Sequence, residues 1–504
     1  MSDPITETAG RGITVNLSLV SHTNAGKTTL ARTLLGRDVG EVRDAAHVTD
    51  LATGYVLVQR GEDTLMLWDT PGFGDTARLL SRLKLAGNPI GWLLEQVWDR
   101  WRERPLWSSQ QAVKNARENA DVILYLVNAA EDPGSASYVA LEMEVLAWVG
   151  KPVVLLLNQL GPPREDVAAE IARWGEIGAV YADGTRQVRA VLPLDAFARV
   201  WVQEGALLDA VTPLLSAQKQ AAMAGLRQRW EELNRTRFDA SMAVLARYLA
   251  GAAREQEPIG EAGWQGKLAN ALVGKSKADR AAMKAMKALG GRLAESTASS
   301  TDELIRLHNL SGKAARTVLE RVSDDYALAA KTPEGAAGAL GGLVTGAIGG
   351  LAADLAAGGL TLGGGMIVGA ILGGLGATGV AKGINVARGE DGESLRWSGE
   401  FFERLAVTAL LRYLAVAHFG RGRGEWSEGE HPPFWQGVVS EEVTARAARF
   451  AALRKDARGG GGGADGRLEA GTDLLRETGL AVLARLYPQA AGDLAITPRT
   501  SSPA

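Results

Sequence analysis

No cysteine occurs anywhere in the 504 residues. That absence excludes disulfides, thiolate nucleophiles, iron–sulfur clusters and cysteine-ligated zinc, and it accords with a reducing cytoplasm. Histidine is scarce too: the five, His22, His47, His308, His418 and His431, show no metal-ligand spacing. Net charge is only −3, from 55 basic and 58 acidic residues, so the chain as a whole is no polybasic nucleic-acid binder. Met1 to Gly12 contains no apolar run, and no secretory signal is expected. At 46 % hydrophobic residues there is ample material for a core, and the length suits roughly two to four domains.

Glycine, in contrast, is abundant and unevenly placed. Eighteen of the 62 fall within 335–383 and six more within 459–466, so the excess marks two local features. The second, with Gly459–Gly463 uninterrupted, has the composition of a flexible linker.

From Ile13 to about Leu215 short apolar runs alternate with helical stretches. Ile13–Val20, Tyr55–Gln59, Thr64–Trp68, Val122–Asn128, Val153–Asn158 and Val188–Leu192 read as strands, several of them apolar on both faces. This alternation predicts an α/β domain over 13–215 with a mostly parallel sheet. From 216 to 330 strand signals fade and an all-α region is expected, broken near Pro258–Trp264 and Gly290–Gly291. Helical patterning continues at Asp302–Ala330, Phe401–Val416, Glu441–Lys455 and Leu468–Leu486.

Directly after the first strand stands Ser21-His22-Thr23-Asn24-Ala25-Gly26-Lys27-Thr28-Thr29, and a helical run follows. Strand, loop and helix in that order make this a P-loop, the P-loop NTPase arrangement, with Ser21 in place of the usual first glycine. Backbone N–H groups of Ala25 to Thr29 would cradle phosphates, Lys27 would reach the β/γ-phosphates, and Thr28 would ligate Mg²⁺. At the end of the third strand comes Asp69-Thr70-Pro71-Gly72. There Asp69 can hold a magnesium-bound water and the Gly72 N–H can sense a γ-phosphate. Thr49, in the preceding loop, is the expected switch threonine on Mg²⁺, with Thr53 as the alternative.

These motifs, with Thr49-Asp50 and Asn158-Gln159, resemble the TrmE/Era class of GTPases. The overall plan also resembles a bacterial family that joins such a G domain to a C-terminal domain of unknown function. The resemblance implies GTP and GDP as ligands, Mg²⁺ as cofactor, and hydrolysis of GTP by a slow molecular switch. It further implies that Asn24 binds a monovalent cation, K⁺, in the role of an arginine finger, and that Asn158 and Gln159 meet the base. Two departures matter. Phe73 stands where some GTPases carry a water-orienting glutamine. The base motif reads Asn158-Gln159-Leu160-Gly161, without the carboxylate that discriminates guanine, so relaxed specificity is expected.

Two further features bear on partners. Trp92, Trp98, Trp101 and Trp107 lie among arginines in the 73–120 segment, and could either report nucleotide state to a partner or lipid surface, or fold onto their own domain. Gly338, Gly342, Gly346 and Gly350, then Gly365, Gly369 and Gly373, repeat every four residues within two stretches that lack charge except for Asp354. On helices these would form glycine-zipper stripes, and 331–388 is expected to be a hairpin either inserted in the inner membrane from its cytoplasmic face or buried in the helical region. An inner-membrane lipid or membrane protein, and self-association through the zipper, are the expected partners; nucleic acid is not. A nucleotide-dependent membrane scaffold and an RNA- or ribosome-assembly GTPase are the rival readings.

Overall fold

The computed structural model describes residues 12–36, 52–95, 103–131, 134, 136–158, 167–181, 183–194, 200–260, 277–310, 384–389, 392–418, 434–458 and 464–488. Thr49, Gln159, Trp98, Trp101 and both glycine stripes lie outside them, as does the five-glycine run. The chain divides into two compact units, Met1–Asn234 with His418–Pro432, and Arg235–Ala417 with Pro433–Ala504.

The first unit holds all six expected strands: β1 (Thr14–Ser21), β2 (Thr53–Arg60), β3 (Asp63–Asp69), β4 (Val122–Asn128), β5 (Val153–Asn158) and β6 (Val188–Pro193). Their spatial order is β2-β3-β1-β4-β5-β6. Only β2, joined to β3 by a tight turn, runs antiparallel; the other neighbours are parallel. The central strands β4 (VILYLVN) and β5 (VVLLLN) are buried almost throughout because helices cover both faces, which is why they read as unbroken apolar runs. Sequence order reverses at β1, which lies between β3 and β4, and in open α/β sheets ligands bind at the carboxyl ends of strands around such a switch point.

Helix α1 (Lys27–Leu35) leaves the end of β1. The described residues of the 73–120 segment form α2 (Thr76–Leu83), α3 (Pro89–Glu95) and α4 (Arg104–Glu118). The Asp75 carboxylate caps α2 by accepting from the Arg78 N–H at 3.1 Å. Trp92 and Trp107 pack, partly buried, on the core formed by Leu79, Leu83, Leu93 and Val113. Of the two alternatives for the tryptophans, these two follow the second: they fold onto their own domain. α5 (Ser137–Val149), α6 (Val167–Gly175), α7 (Trp201–Val211) and the start of α8 (Ala217–Arg254) complete the unit, whose boundary falls inside α8.

The second unit is mainly helical: the rest of α8, α9 (Lys277–Leu307), α10 (Gly399–Ala417), α11 (Phe434–Ala445), α12 (Ala447–Arg458) and α13 (Ala464–Leu486). Phe238, Leu249, Leu293, Leu410, Phe450 and Leu483 form part of its core. Four details differ from the sequence reading. A three-stranded antiparallel sheet is present, β7 (Gln256–Gly260), β8 (Ile384–Gly389) and β9 (Gly392–Trp397) in the order β7-β9-β8. β8 and β9 form a local hairpin closed between Gly389 and Gly392, whereas β7 joins β9 from more than 130 residues upstream, a pairing that no local periodicity announces. The 331–388 hairpin cannot extend to Arg388, because β8 occupies the end of that span. α9 runs unbroken through Gly290–Gly291; two glycines cost a helix about 1 kcal/mol each, and the buried Leu289 and Leu293 beside them anchor it. Finally, the expected helix 441–455 is two helices meeting at Arg446, whose side chain pairs with Glu442 and Glu477. Among the described residues no helix is long and apolar enough to cross a membrane.

Candidate functional site

The loop between β1 and α1 is tied down from two directions. Phe73 donates its N–H to the Ser21 carbonyl at 2.9 Å and accepts from the Thr23 N–H at 3.1 Å, which joins the segment after β3 to the loop as a short parallel bridge. From β5, the fully buried Asn158 amide donates to the Ala25 carbonyl at 2.9 Å. Thr70 fixes the turn after β3 by donating to the Leu19 carbonyl at 2.5 Å. Within the loop Asn24 (φ 66°) and Gly26 (φ 91°) are left-handed, a conformation asparagine tolerates and glycine adopts freely. Turns of this kind gather successive N–H groups into anion-binding nests. Gly26, the N-cap of α1, offers no side-chain cap, and a helix N-terminus presents its first amide groups toward an anion.

Lys27 and Asp69 carry the electrostatics. The Lys27 ammonium is buried, donates to Ser21 Oγ at 2.9 Å and lies 3.4 Å from the His22 carbonyl. The serine that replaces the usual glycine thus gives the lysine its resting partner. Burial lowers the Lys27 pKa to about 8, against the opposing pull of Asp69 and Glu142. Thr28 Oγ1 donates to Asp69 Oδ2 at 2.7 Å. Asp69 Oδ1 is buried with no hydrogen-bond partner, and burial raises this carboxyl despite Thr28 and Lys27. A desolvated ammonium and an orphaned carboxylate oxygen beside an uncapped helix fit a polyphosphate with a divalent cation. Thr28 and Asp69 are the donors such a cation would take.

Other expected residues divide clearly. Gly72 abuts the loop so closely that a Cβ there would meet Thr23 Cα at 2.8 Å and Lys27 Nζ at 3.1 Å. Gly72→Ala should therefore shift the loop, cost about 1–3 kcal/mol of stability and weaken nucleotide binding by about tenfold or more; unaltered affinity in a fluorescent-nucleotide titration would refute this. Asn24 is exposed at the mouth of the loop, whereas Ala25 and Thr29 are buried and shape it. Phe73 is wholly buried, so its ring cannot orient a water. Thr53, the alternative switch threonine, opens β2 directly across from Asp69.

Sequence reasoning missed a buried glutamate. Glu142, on α5, is fully buried and reaches three separate elements. Its Oε1 lies 2.6 Å from His22 Nδ1 in the loop and accepts from Thr76 Oγ1 at the start of α2 at 3.2 Å. Its Oε2 accepts from the Tyr125 hydroxyl of β4 at 2.6 Å. Burial and Glu142 together hold the Tyr125 phenol far above its ordinary pKa. The His22 ring also packs on Tyr138, with centroids 4.5 Å apart. The available signal was a lone carboxylate in the apolar face Val139, Met143 and Leu146.

The Lys27 pKa has a definite consequence for pH. Its folded value lies below the unfolded one, so the cost of burying the ammonium, about 3 kcal/mol at 1.36 kcal/mol per unit, is complete below pH 8. It fades as pH rises from about 8 toward 10.5. A bound polyphosphate favours the ammonium and raises that pKa again. Nucleotide affinity should therefore fall above about pH 8 by up to tenfold per unit, with proton uptake on binding visible by calorimetry in buffers of different ionisation enthalpy. A dissociation constant that is flat from pH 7 to 9.5 would be incompatible with this.

Strand order, loop, uncapped helix and the Thr28–Asp69 contact define a P-loop GTPase domain, and the family model described as 50S ribosome-binding GTPase matches residues 16–159. A second family model, the domain of unknown function DUF3482, matches residues 184–462, more than half of the chain, and the protein belongs to that family. Among solved structures the chain is similar to a variant of Aquifex aeolicus Era bound to GDP.AlF4-, at 19 % identity over 40 % of this chain and 57 % of that one, with a TM-score of 0.28. Era in complex with MgGDPNP and nucleotides of 16S ribosomal RNA is similar at 20 % identity over 36 % and 51 %, with a TM-score of 0.26. A variant of S. thermophilus NFeoB bound to GDP.AlF4- is similar at 14 % identity over 58 % and 88 %, with a TM-score of 0.22. The chain spans little more than half the length of the two Era chains it matches. Comparison with curated proteins returns no match.

Proposed function

We propose that this protein binds GTP with Mg²⁺ and hydrolyses it as a slow molecular switch of the TrmE/Era type. The observation that supports the reading most is the meeting of two motifs 41 residues apart: Thr28 and Asp69 share a hydrogen bond, while Asp69 keeps a second, buried oxygen unpartnered. In this reading Lys27 neutralises the β/γ-phosphates, and the amides of Ala25 to Thr29 cradle them. Thr28, Asp69 and Thr49 are the Mg²⁺ side of the site, and Gly72 reads the γ-phosphate through its N–H. The metal supplies charge neutralisation on the phosphate oxygens. With Phe73 buried, the reading gives the charge-compensating role to K⁺ held by the exposed Asn24. Base contacts fall to Asn158 and Gln159. Because the motif Asn158-Gln159-Leu160-Gly161 carries no carboxylate, discrimination of guanine should be modest.

Residues 331–383, with their four-residue glycine stripes, support placing the protein at the cytoplasmic face of the inner membrane, with a hairpin that ends before Ile384. Purified protein titrated with labelled GTP, ATP and XTP, followed by turnover in K⁺ and in Na⁺, tests the nucleotide reading. Micromolar binding of GTP with faster hydrolysis in K⁺ is expected. Failure to bind any nucleoside triphosphate would overturn the proposal, and equal rates in the two salts would remove the role of Asn24.

A further inference from the structure

The second unit contains three arginines without a counter-charge. Arg454 Nη2 and Arg458 Nη2, one turn apart on α12, donate to the same acceptor, the Trp397 carbonyl, at 2.7 and 3.1 Å. Arg458 Nε also donates to the Ala253 carbonyl at the end of α8, at 2.7 Å. Arg396, the residue before Trp397 on β9, is close enough to Arg458 that it and Arg454 depress the Arg458 pKa, which burial has already lowered, to about 10. Among the described residues none of the three has a carboxylate within ion-pairing distance. The acids Glu255 and Glu257, beside and within β7, are engaged elsewhere: Glu257 pairs with Arg292 at 2.8 Å, and Glu255 accepts from the Trp397 indole at 3.1 Å.

Holding like charges together and partly out of water is costly unless something compensates them. The carbonyls supply part of that, but Nε of Arg396 and Nε of Arg454 are shielded from solvent and have no hydrogen-bond partner. All three side chains remain partly exposed, so the cluster can be reached from solution. The residue type is informative as well. A guanidinium offers a planar fork that fits phosphate oxygens in pairs, while a lysine presents a point charge. A phosphoryl group brings up to two negative charges and three acceptor oxygens, which matches the two forks that meet at the Trp397 carbonyl, with Arg396 the next residue along the strand, better than a single carboxylate does.

We propose that Arg396, Arg454 and Arg458 form a binding site for a phosphoryl oxyanion in the second unit, separate from the nucleotide loop. The chemistry is common to a soluble phosphorylated ligand and to a phospholipid headgroup. The site stands whether or not the first unit binds GTP.

The test uses the full chain with two probes: inorganic phosphate followed by calorimetry, and flotation with vesicles of phosphatidylglycerol and phosphatidylcholine against phosphatidylcholine alone. Arg396→Gln is the main variant, because the Arg396 side chain makes no hydrogen bond among the described residues and its loss spares the Trp397 carbonyl. Arg458→Gln is the second, and circular dichroism checks the fold of both. Saturable phosphate binding should weaken about tenfold in each variant, the loss expected from one charge-assisted contact, and persist in Lys27→Met. Flotation that follows the same arginines identifies a lipid headgroup; phosphate binding without flotation identifies a soluble ligand. Phosphate binding lost in Lys27→Met and kept in Arg396→Gln would overturn the site, as would no response to either probe.

Discussion

Replacing Glu142 with alanine should cost the first unit about 3–5 kcal/mol, the loss typical when one partner of a buried polar or charged network is removed. The change strands the Tyr125 hydroxyl in a fully buried position and takes from His22 and Thr76 an oxygen that both approach within hydrogen-bond range. It also opens a cavity beneath the loop. Urea unfolding followed by tryptophan fluorescence measures it, and Glu142→Gln, which keeps the volume, should lose appreciably less. Because His22 lies in the phosphate loop, Glu142→Ala should weaken nucleotide binding in protein that is still folded. A loss below 1 kcal/mol would mean that the three contacts do not act as a network.

Lys27→Met separates stability from binding. The methionine retains the packing of the lysine stem and removes an ammonium whose burial already drives its pKa to about 8. The free protein should melt at the same temperature or higher near pH 7. Nucleotide affinity should nevertheless fall by about a hundredfold, since each charge-assisted bond to phosphate is worth about 1.5–3 kcal/mol. The same thermal melt with and without GTP·Mg²⁺ reads both effects: the ligand-induced rise disappears while the baseline holds. A variant that melts well below the parent without nucleotide would show that Lys27 is structural first.

These two residues show what was legible in the chain. Lys27 stands in a motif whose spacing encodes strand, loop and helix within nine residues, so its place in the fold could be read directly. The sheet was legible for a similar reason, because buried parallel strands are apolar on both faces. Glu142 gave only the weak signal of an acid on an apolar helical face, since its partners come from residues 22, 76 and 125 and meet only through packing. In the sheet of the second unit β7 was hidden for the same reason of distance, since it pairs with a strand more than 130 residues later, whereas β8 and β9 are a short local hairpin with little apolar alternation. Arg446 adds a third kind of miss, a helix break set by side-chain pairing with Glu442 and Glu477, with no glycine or proline at the break. Thr49 and Gln159 lie outside the described residues.

The bridge between Phe73 and the loop has a mechanical consequence. The peptide after Gly72 is fastened on both sides, to Ser21 and to Thr23, and Thr76 is held by Glu142. Gly74 and Asp75 are the only residues between these two anchors. Any displacement that starts at Gly72 must be absorbed in that two-residue link or carried onward as a rigid push. Gly74 sits against the first turn of α4, where a Cβ would overlap Pro105 at 2.5 Å. The link is thus a short lever with α4 as its abutment, and Trp107, two residues past Pro105, is the place where a fluorescence change would first register its stroke.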